Sequence, residues 1–249
     1  MDAGSSKPTH QPIDETGGRN QRHGTNDLGQ PVGPSVEIEL PRPVPSVASM
    51  IGRTCRIDPL DPALHGDALF EAYSAAPDVR GFTYLYHGPF DSLDAFRGWL
   101  ESLDGSTDPL YFVISDAAGP CGMAAYLRIA PQAASIEVGS IHFAHRLQQT
   151  VASTEAMLLM MQRAFDAGYR RYEWKCDALN APSRAAAQRL GFSYEGTFRQ
   201  AAIYKGRSRD TAWFSMLDSE WPERRSEFER WLDPSNFDTD ASQLTPLRH

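Results

Sequence analysis

Apolar positions along this chain switch between two periods. Gly52–Asp58 (GRTCRID) reads as a short strand, and Ala63–Ala75 as a helix. Ser92–Leu103 is a clearer helix: Leu93, Phe96, Trp99, Leu100 and Leu103 recur at three- and four-residue spacing behind a Ser92 N-cap. Leu110–Ser115 and Gly122–Ile129 read as strands joined by the Gly/Pro-containing turn Asp116–Pro120. Ser135–Phe143 (SIEVGSIHF) alternates and adds a third strand. Thr154–Ala167 is a long helix, capped by Ser153 or Thr154 and stopped by Gly168. Arg171–Cys176 is a strand, Ser183–Leu190 a short helix stopped by Gly191, and Phe192–Ala202 and Thr211–Leu217 two further strands. The order β-α-α-β-β-β-α-β-α-β-β predicts an α/β (α+β) fold with a mixed central sheet between helices.

The two ends differ from this pattern. The first 45 residues hold six Gly, seven Pro and no aromatic residue. Such a stretch buries too little apolar area to offset its ordering entropy, so residues 1–47 are expected to form a disordered or extended arm. Residues 48–222 then make one domain, and residues 223–249 a C-terminal helix and a loose tail over the last eighteen positions.

Composition narrows the function classes. The net charge of -8 disfavours non-specific binding to nucleic acid. Three scattered cysteines, Cys55, Cys121 and Cys176, fit neither a disulfide framework nor a zinc site, so no metal is expected. The longest apolar run, Ala156–Met161, is too short to span a membrane, and no signal peptide is visible, so the expected location is the cytoplasm.

The informative stretch is Asp177–Phe192 (DALNAPSRAAAQRLGF), where Asn180 follows a strand, Ser183 opens a helix and Leu190-Gly191-Phe192 closes it. Upstream, Thr154-Glu155-Ala156 opens the long helix; downstream stand Glu195-Gly196 and a closing strand, Trp213–Asp218. In this order and at these separations, over residues 51–220, the chain resembles the GNAT superfamily of N-acetyltransferases, RimJ/RimL-type branch.

That resemblance implies acetyl-CoA as co-substrate and a primary amine, a protein N-terminus or a small molecule, as acceptor. It implies a splayed sheet whose fourth strand, at Ile141, His142 and Phe143, offers its edge to the pantetheine arm. It places the pyrophosphate at Gln148, Val151, Ala152, Ser153 and Thr154, where a helix N-terminus meets an anion. Asn180 and Ser183 would hold the pantetheine, and the loop aromatics Phe82, Tyr84 and Tyr86 would wall the acceptor pocket. Dimerisation as a homodimer is left open.

Two departures stand out. The superfamily's pyrophosphate loop has glycines where this chain has Val151 and Ser153, and its acid tyrosine is replaced by Ala187. The base must therefore be sought elsewhere. Glu137 resembles the acidic position used by some members, and a base contributes ~10²–10⁴-fold. Strand alternation sets His142 on the face opposite Glu137. The lost glycines and tyrosine also admit a second expectation, a catalytically weak or inactive acyl-CoA sensor. The basic residues Arg199, Lys205, Arg207 and Arg209 form a cluster that would meet an acidic group or a solvated turn.

Overall fold

A computed structural model describes residues 24–240 and 242–248; the beginning of the expected arm, residues 1–23, lies outside the described residues. The chain divides into two units, residues 1–39 and 40–249. In the first, β1 (Gly24–Thr25) and β2 (Pro31–Val32) pair antiparallel. Asn26 Oδ1 closes their turn by accepting from the Leu28 and Gln30 N–H groups.

The second unit runs β3 (Met50–Ile51), β4 (Arg56–Pro59), α1 (Pro62–Ser74), α2 (Leu93–Glu101), β5 (Leu110–Asp116), β6 (Gly119–Ala130) and β7 (Ser135–Phe143). It continues through α3 (Val151–Asp166), β8 (Arg171–Asp177), α4 (Ala181–Arg189), β9 (Ser193–Tyr204), β10 (Arg207–Leu217) and α5 (Trp221–Leu232). One mixed sheet in the order β3-β4-β5-β6-β7-β8-β10-β9 is flanked by these helices. All its pairs are antiparallel except β7–β8, which the α3 crossover makes parallel. Rings such as Phe112, Tyr126, Tyr172 and Phe214 fill the core.

Most predicted elements form where the periodicity places them, and the departures have local causes. Ser92 caps α2 through its side chain, accepting from the Ala95 N–H at 3.2 Å. Of the strand expected over residues 52–58, only the end, Arg56–Asp58, is strand, within β4. Its first half is held in a turn by the buried Glu155 carboxylate, which accepts from the N–H groups of Arg53 (2.7 Å) and Thr54 (2.6 Å) and from the Thr54 hydroxyl. Burial works against this carboxylate, but the three donors hold its pKa below the ordinary range. Helix α3 starts about one turn earlier than expected. Thr150, not Ser153 or Thr154, is its N-cap, and Thr150 and Ser153 cap each other reciprocally.

Two features of β7 position the site. Its parallel pairing with β8 runs only from Ser135–Arg171 to Val138–Trp174, although the strands continue to Phe143 and Asp177. Beyond Val138 the two strands part. Ser140 also sits at φ 48, and the register with β6 steps from Gly139 opposite Ala125 to His142 opposite Met123. This β-bulge adds one residue to β7. It overturns the expected parity: His142 and Glu137 share a face, because their partners Met123 and Leu127 do.

The chain on either side of the central elements is tied to them. The Arg42 N–H donates to Pro131 O at 3.0 Å and its Nε to Ala167 O at 3.3 Å, while Arg163 Nη1 donates to Ser46 O at 2.9 Å. Where composition suggests a loose tail, residues after α5 fold around the buried Asn236, which donates to Trp231 O and accepts from the Thr245 N–H. Trp231 Nε1 donates to Gln243 Oε1, and Phe237 bridges Gln243.

Candidate active site

The parting of β7 from β8 opens into a cleft of 1550 Å³. One end is the N-terminus of α3. The middle is the β7 edge on one side and the start of α4 on the other. The far end runs beneath residues 78–90, against α1 and α2.

At the first end Gln148, Val151, Ser153 and Thr154 line the cleft, while Ala152 is buried in the first turn of α3 beside them. Gln148 turns its amide back onto β7, Nε2 donating to Phe143 O at 2.9 Å. The loop's left-handed residue is Gln149, at φ 58. Val151 and Ser153 stand inside the helix, so neither glycine-type position calls for positive φ here. The capping box uses the Thr150 and Ser153 N–H groups. Val151 and Ala152, the first two residues of the helix, offer theirs to an anion.

Arg189, which the motif reading passed over, reaches this end from α4. It donates to Thr154 Oγ1 at 3.1 Å and lies over the Trp231 ring at 5.3 Å. Burial lowers its pKa, and among the described residues no carboxylate pulls it back. A cation beside a helix N-terminus and without an acidic partner suits phosphate. Trp231, Phe237 and Gln243 of the C-terminal segment also line this part of the cleft. Its composition carried no signal of that; the Arg before Leu190-Gly191-Phe192 was the one legible clue.

In the middle, Ile141, His142 and Phe143 present the β7 edge. Asn180 lines the cleft and caps α4, its Oδ1 accepting from the Ser183 N–H at 3.1 Å. Its Nδ2 is then the group left for a ligand carbonyl. The Ser183 hydroxyl is engaged elsewhere, accepting from Trp174 Nε1 at 3.0 Å. These features fit acetyl-CoA: a strand edge without its β8 partner for the pantetheine amides, and helix amides with a guanidinium for the phosphates.

Glu137 is not part of this constellation. On β6 the partners of Glu137 and His142 are four residues apart, which at ~3.3 Å per residue separates them by about 13 Å. Its buried carboxylate pairs with Lys175 Nζ at 2.9 Å and Arg128 Nη1 at 3.1 Å, and Lys175 also pairs with Glu173 at 2.6 Å. Burial raises the Glu137 pKa, and the two cations restrain the rise.

At the far end, His142 is held between the Tyr73 ring, stacked at 4.0 Å, and the edge of Phe82 at 4.4 Å. Burial pushes its pKa down to about 3, and that of His87, stacked on Trp99 at 4.1 Å, down to about 4. Both imidazoles are neutral at pH 7. Tyr84 lines the cleft and donates to Leu179 O at 3.2 Å. Tyr86 instead lies exposed against Tyr204 at 5.3 Å, outside the cleft wall. Of the basic cluster, Lys205 donates to Phe82 O at 2.7 Å, and the buried Arg209 lies over Tyr86 at 5.5 Å. Both brace the aromatic segment. Ala187, on the inward face of α4, is fully buried and supplies no acid.

Among the described residues, no helix is long and apolar enough to cross a membrane, and no three His, Cys, Asp or Glu side chains gather as a metal site would require. No curated protein matches the sequence. Solved structures do. A GCN5-related N-acetyltransferase from Brucella melitensis is 45% identical with a TM-score of 0.83, covering 85% of this chain and 97% of that one. A probable acetyltransferase of the GNAT family from Chromobacterium violaceum is 37% identical with a TM-score of 0.70, covering 78% of this chain and 99% of that one. An acetyltransferase from Salmonella typhimurium that modifies the N-terminal serine of ribosomal protein L7/L12 shares the fold at 20% identity and a TM-score of 0.56, covering 67% of this chain and 96% of that one. Residues 56–193 match the acetyltransferase (GNAT) domain, more than half of the sequence. The chain therefore belongs to the GNAT family of acetyltransferases, whose domain implies acetyl-CoA as co-substrate.

Proposed function

We propose that the protein is an N-acetyltransferase of the RimJ/RimL type, moving the acetyl group of acetyl-CoA to a primary amine by direct attack. The observation that carries this is the parting of β7 from β8 into a cleft with a phosphate-suited end and an aromatic end. Thr154-Glu155-Ala156, Asn180-x-x-Ser183 and Leu190-Gly191-Phe192 support the branch, and Glu155 shows one use of that signature, pinning the β3–β4 turn to α3.

Each side of the cleft has its task. Val151 and Ala152 amides and Arg189 hold the phosphates, while the Ile141–Phe143 edge and Asn180 Nδ2 hold the pantetheine arm. The lone pair of the neutral amine forms the new N–C bond as the thioester C–S bond breaks; the surplus proton on that nitrogen passes to water, and water returns one to the leaving thiolate, so the coenzyme departs as its thiol. With Glu137 ion-paired away from the cleft, Ala187 without a proton and His142 a weak base, most of the acceleration comes from holding the thioester and a neutral amine together. The rate should then rise with pH along the neutral fraction of the amine.

Calorimetry with acetyl-CoA and a thiol-release assay over a panel of amines test the reading. Saturable binding with amine-dependent thiol release is expected. Binding with no release from any amine, peptide N-termini included, refutes it.

A further inference from the structure

The acceptor end of the cleft is rich in rings and poor in acids. Phe82, Phe90, Phe96 and Tyr73 line it together with His142. The Phe90 and Phe96 rings lie 5.2 Å apart and those of Tyr73 and Phe96 6.0 Å apart, a continuous aromatic wall. Among the described residues lining the cleft, Asp78 is the one carboxylate. It is already engaged: its oxygens accept from Arg80 Nε at 2.8 and 2.9 Å and from the Arg80 N–H at 3.0 Å. Arg80 and Arg189 also line the cleft, so its fixed charges sum to a positive value.

A polyamine or an aminoglycoside keeps several ammonium groups at neutral pH, and each loses water on entry with no free carboxylate to receive it. Only the reacting nitrogen can shed its charge. An aromatic or bulky apolar body, by contrast, finds rings to pack on and leaves no polar group unpaired. We infer that the acceptor is a monoamine bearing an aromatic or bulky apolar group, and that polycationic amines are poor acceptors. This rests on the amine-acetylation reading above. The same chemistry is offered by a free arylalkylamine and by the first residue of a peptide.

Thiol release from acetyl-CoA is measured at one ionic strength with 2-phenylethylamine, a peptide beginning with Phe, spermidine and kanamycin. The expected kcat/KM for one of the first two is at least tenfold above that for either polycation, and the better of the two identifies the source. Spermidine or kanamycin at or above the aromatic amines overturns the inference alone. Release from none of the four, with acetyl-CoA still binding, overturns this inference, and extending the failure to every amine in the wider panel overturns the acetylation reading. Two variants test the cause. Arg80→Glu, at an exposed side chain, should reduce the preference over spermidine about tenfold. Phe82→Leu should raise KM for the aromatic amine several-fold and leave the acetyl-CoA Kd unchanged. A preference that neither variant moves overturns the assignment of these walls.

Discussion

Acidification from pH 7 to pH 5 should destabilise this fold through two histidines before most of its carboxylates titrate. In the unfolded chain His87 and His142 have ordinary pKa values near 6.5; in the fold, burial pushes them down to about 4 and about 3. At pH 5 the unfolded chain therefore binds nearly two more protons at these positions than the folded one. The sign follows: a depressed imidazole contributes stability that is present above pH 6.5 and is lost as pH falls towards the folded values. The loss is ~1.4 kcal/mol per pH unit for each group once well below 6.5, or about 2 kcal/mol each by pH 5. The sum, about 4 kcal/mol, is a large share of a typical stability of ~5–15 kcal/mol. His65, whose pKa burial also lowers, adds in the same direction, and Glu137, whose pKa burial raises, works against it. Urea unfolding at pH 7, 6 and 5 reads the total. Imidazole proton resonances followed over the same range separate the contributions. Titration of the His87 and His142 resonances near 6.5 in the folded protein would refute the reasoning, whatever the unfolding curves show.

Three further outcomes are expected. Asn180→Ala removes both the α4 cap and the free amide, so acetyl-CoA affinity should fall by ~0.5–1.5 kcal/mol and stability by ~1 kcal/mol; calorimetry and thermal melts read the two separately, and unchanged affinity removes Asn180 from the site. Arg189→Gln should weaken acetyl-CoA binding and flatten its dependence on salt, because the cation facing the phosphates is gone; an unchanged salt dependence removes Arg189 from phosphate binding. Glu137→Gln should leave turnover within a few-fold while lowering stability by ~1–3 kcal/mol, since among the described residues buried Lys175 then keeps Glu173 as its one carboxylate partner, beside the Trp213 ring; a hundredfold loss of turnover with the fold intact would return Glu137 to the mechanism.

Local patterning was enough for most of the elements. The spacing of Leu93, Phe96 and Leu100 marks one face of α2, and Ser92 marks where it starts, because a cap and an amphipathic turn are decided within four residues. Asn180 is legible for the same reason, as a short polar side chain before a proline-opened helix. The site is not local in this sense. The Ser140 bulge that brings His142 onto the face of Glu137 depends on how β7 registers with β6, and alternation within β7 pointed to the opposite answer. The start of α3 moved a turn because Thr150 and Ser153 cap each other, whereas the sequence offered several hydroxyls that could cap. Glu137 is a candidate base by its resemblance to an acidic position of some family members; only the neighbouring β8, carrying Lys175 and Glu173, makes it one member of a buried ion cluster. Trp231, Phe237 and Gln243 reach the cleft from a segment whose composition resembles a loose end. Helix caps and hydrophobic periods are settled by neighbours in sequence, so the chain itself determined them. Which face a bulged strand shows, which carboxylate finds a buried cation and which tail closes a cleft are settled by partners far along the chain, and only tertiary packing brings those partners together.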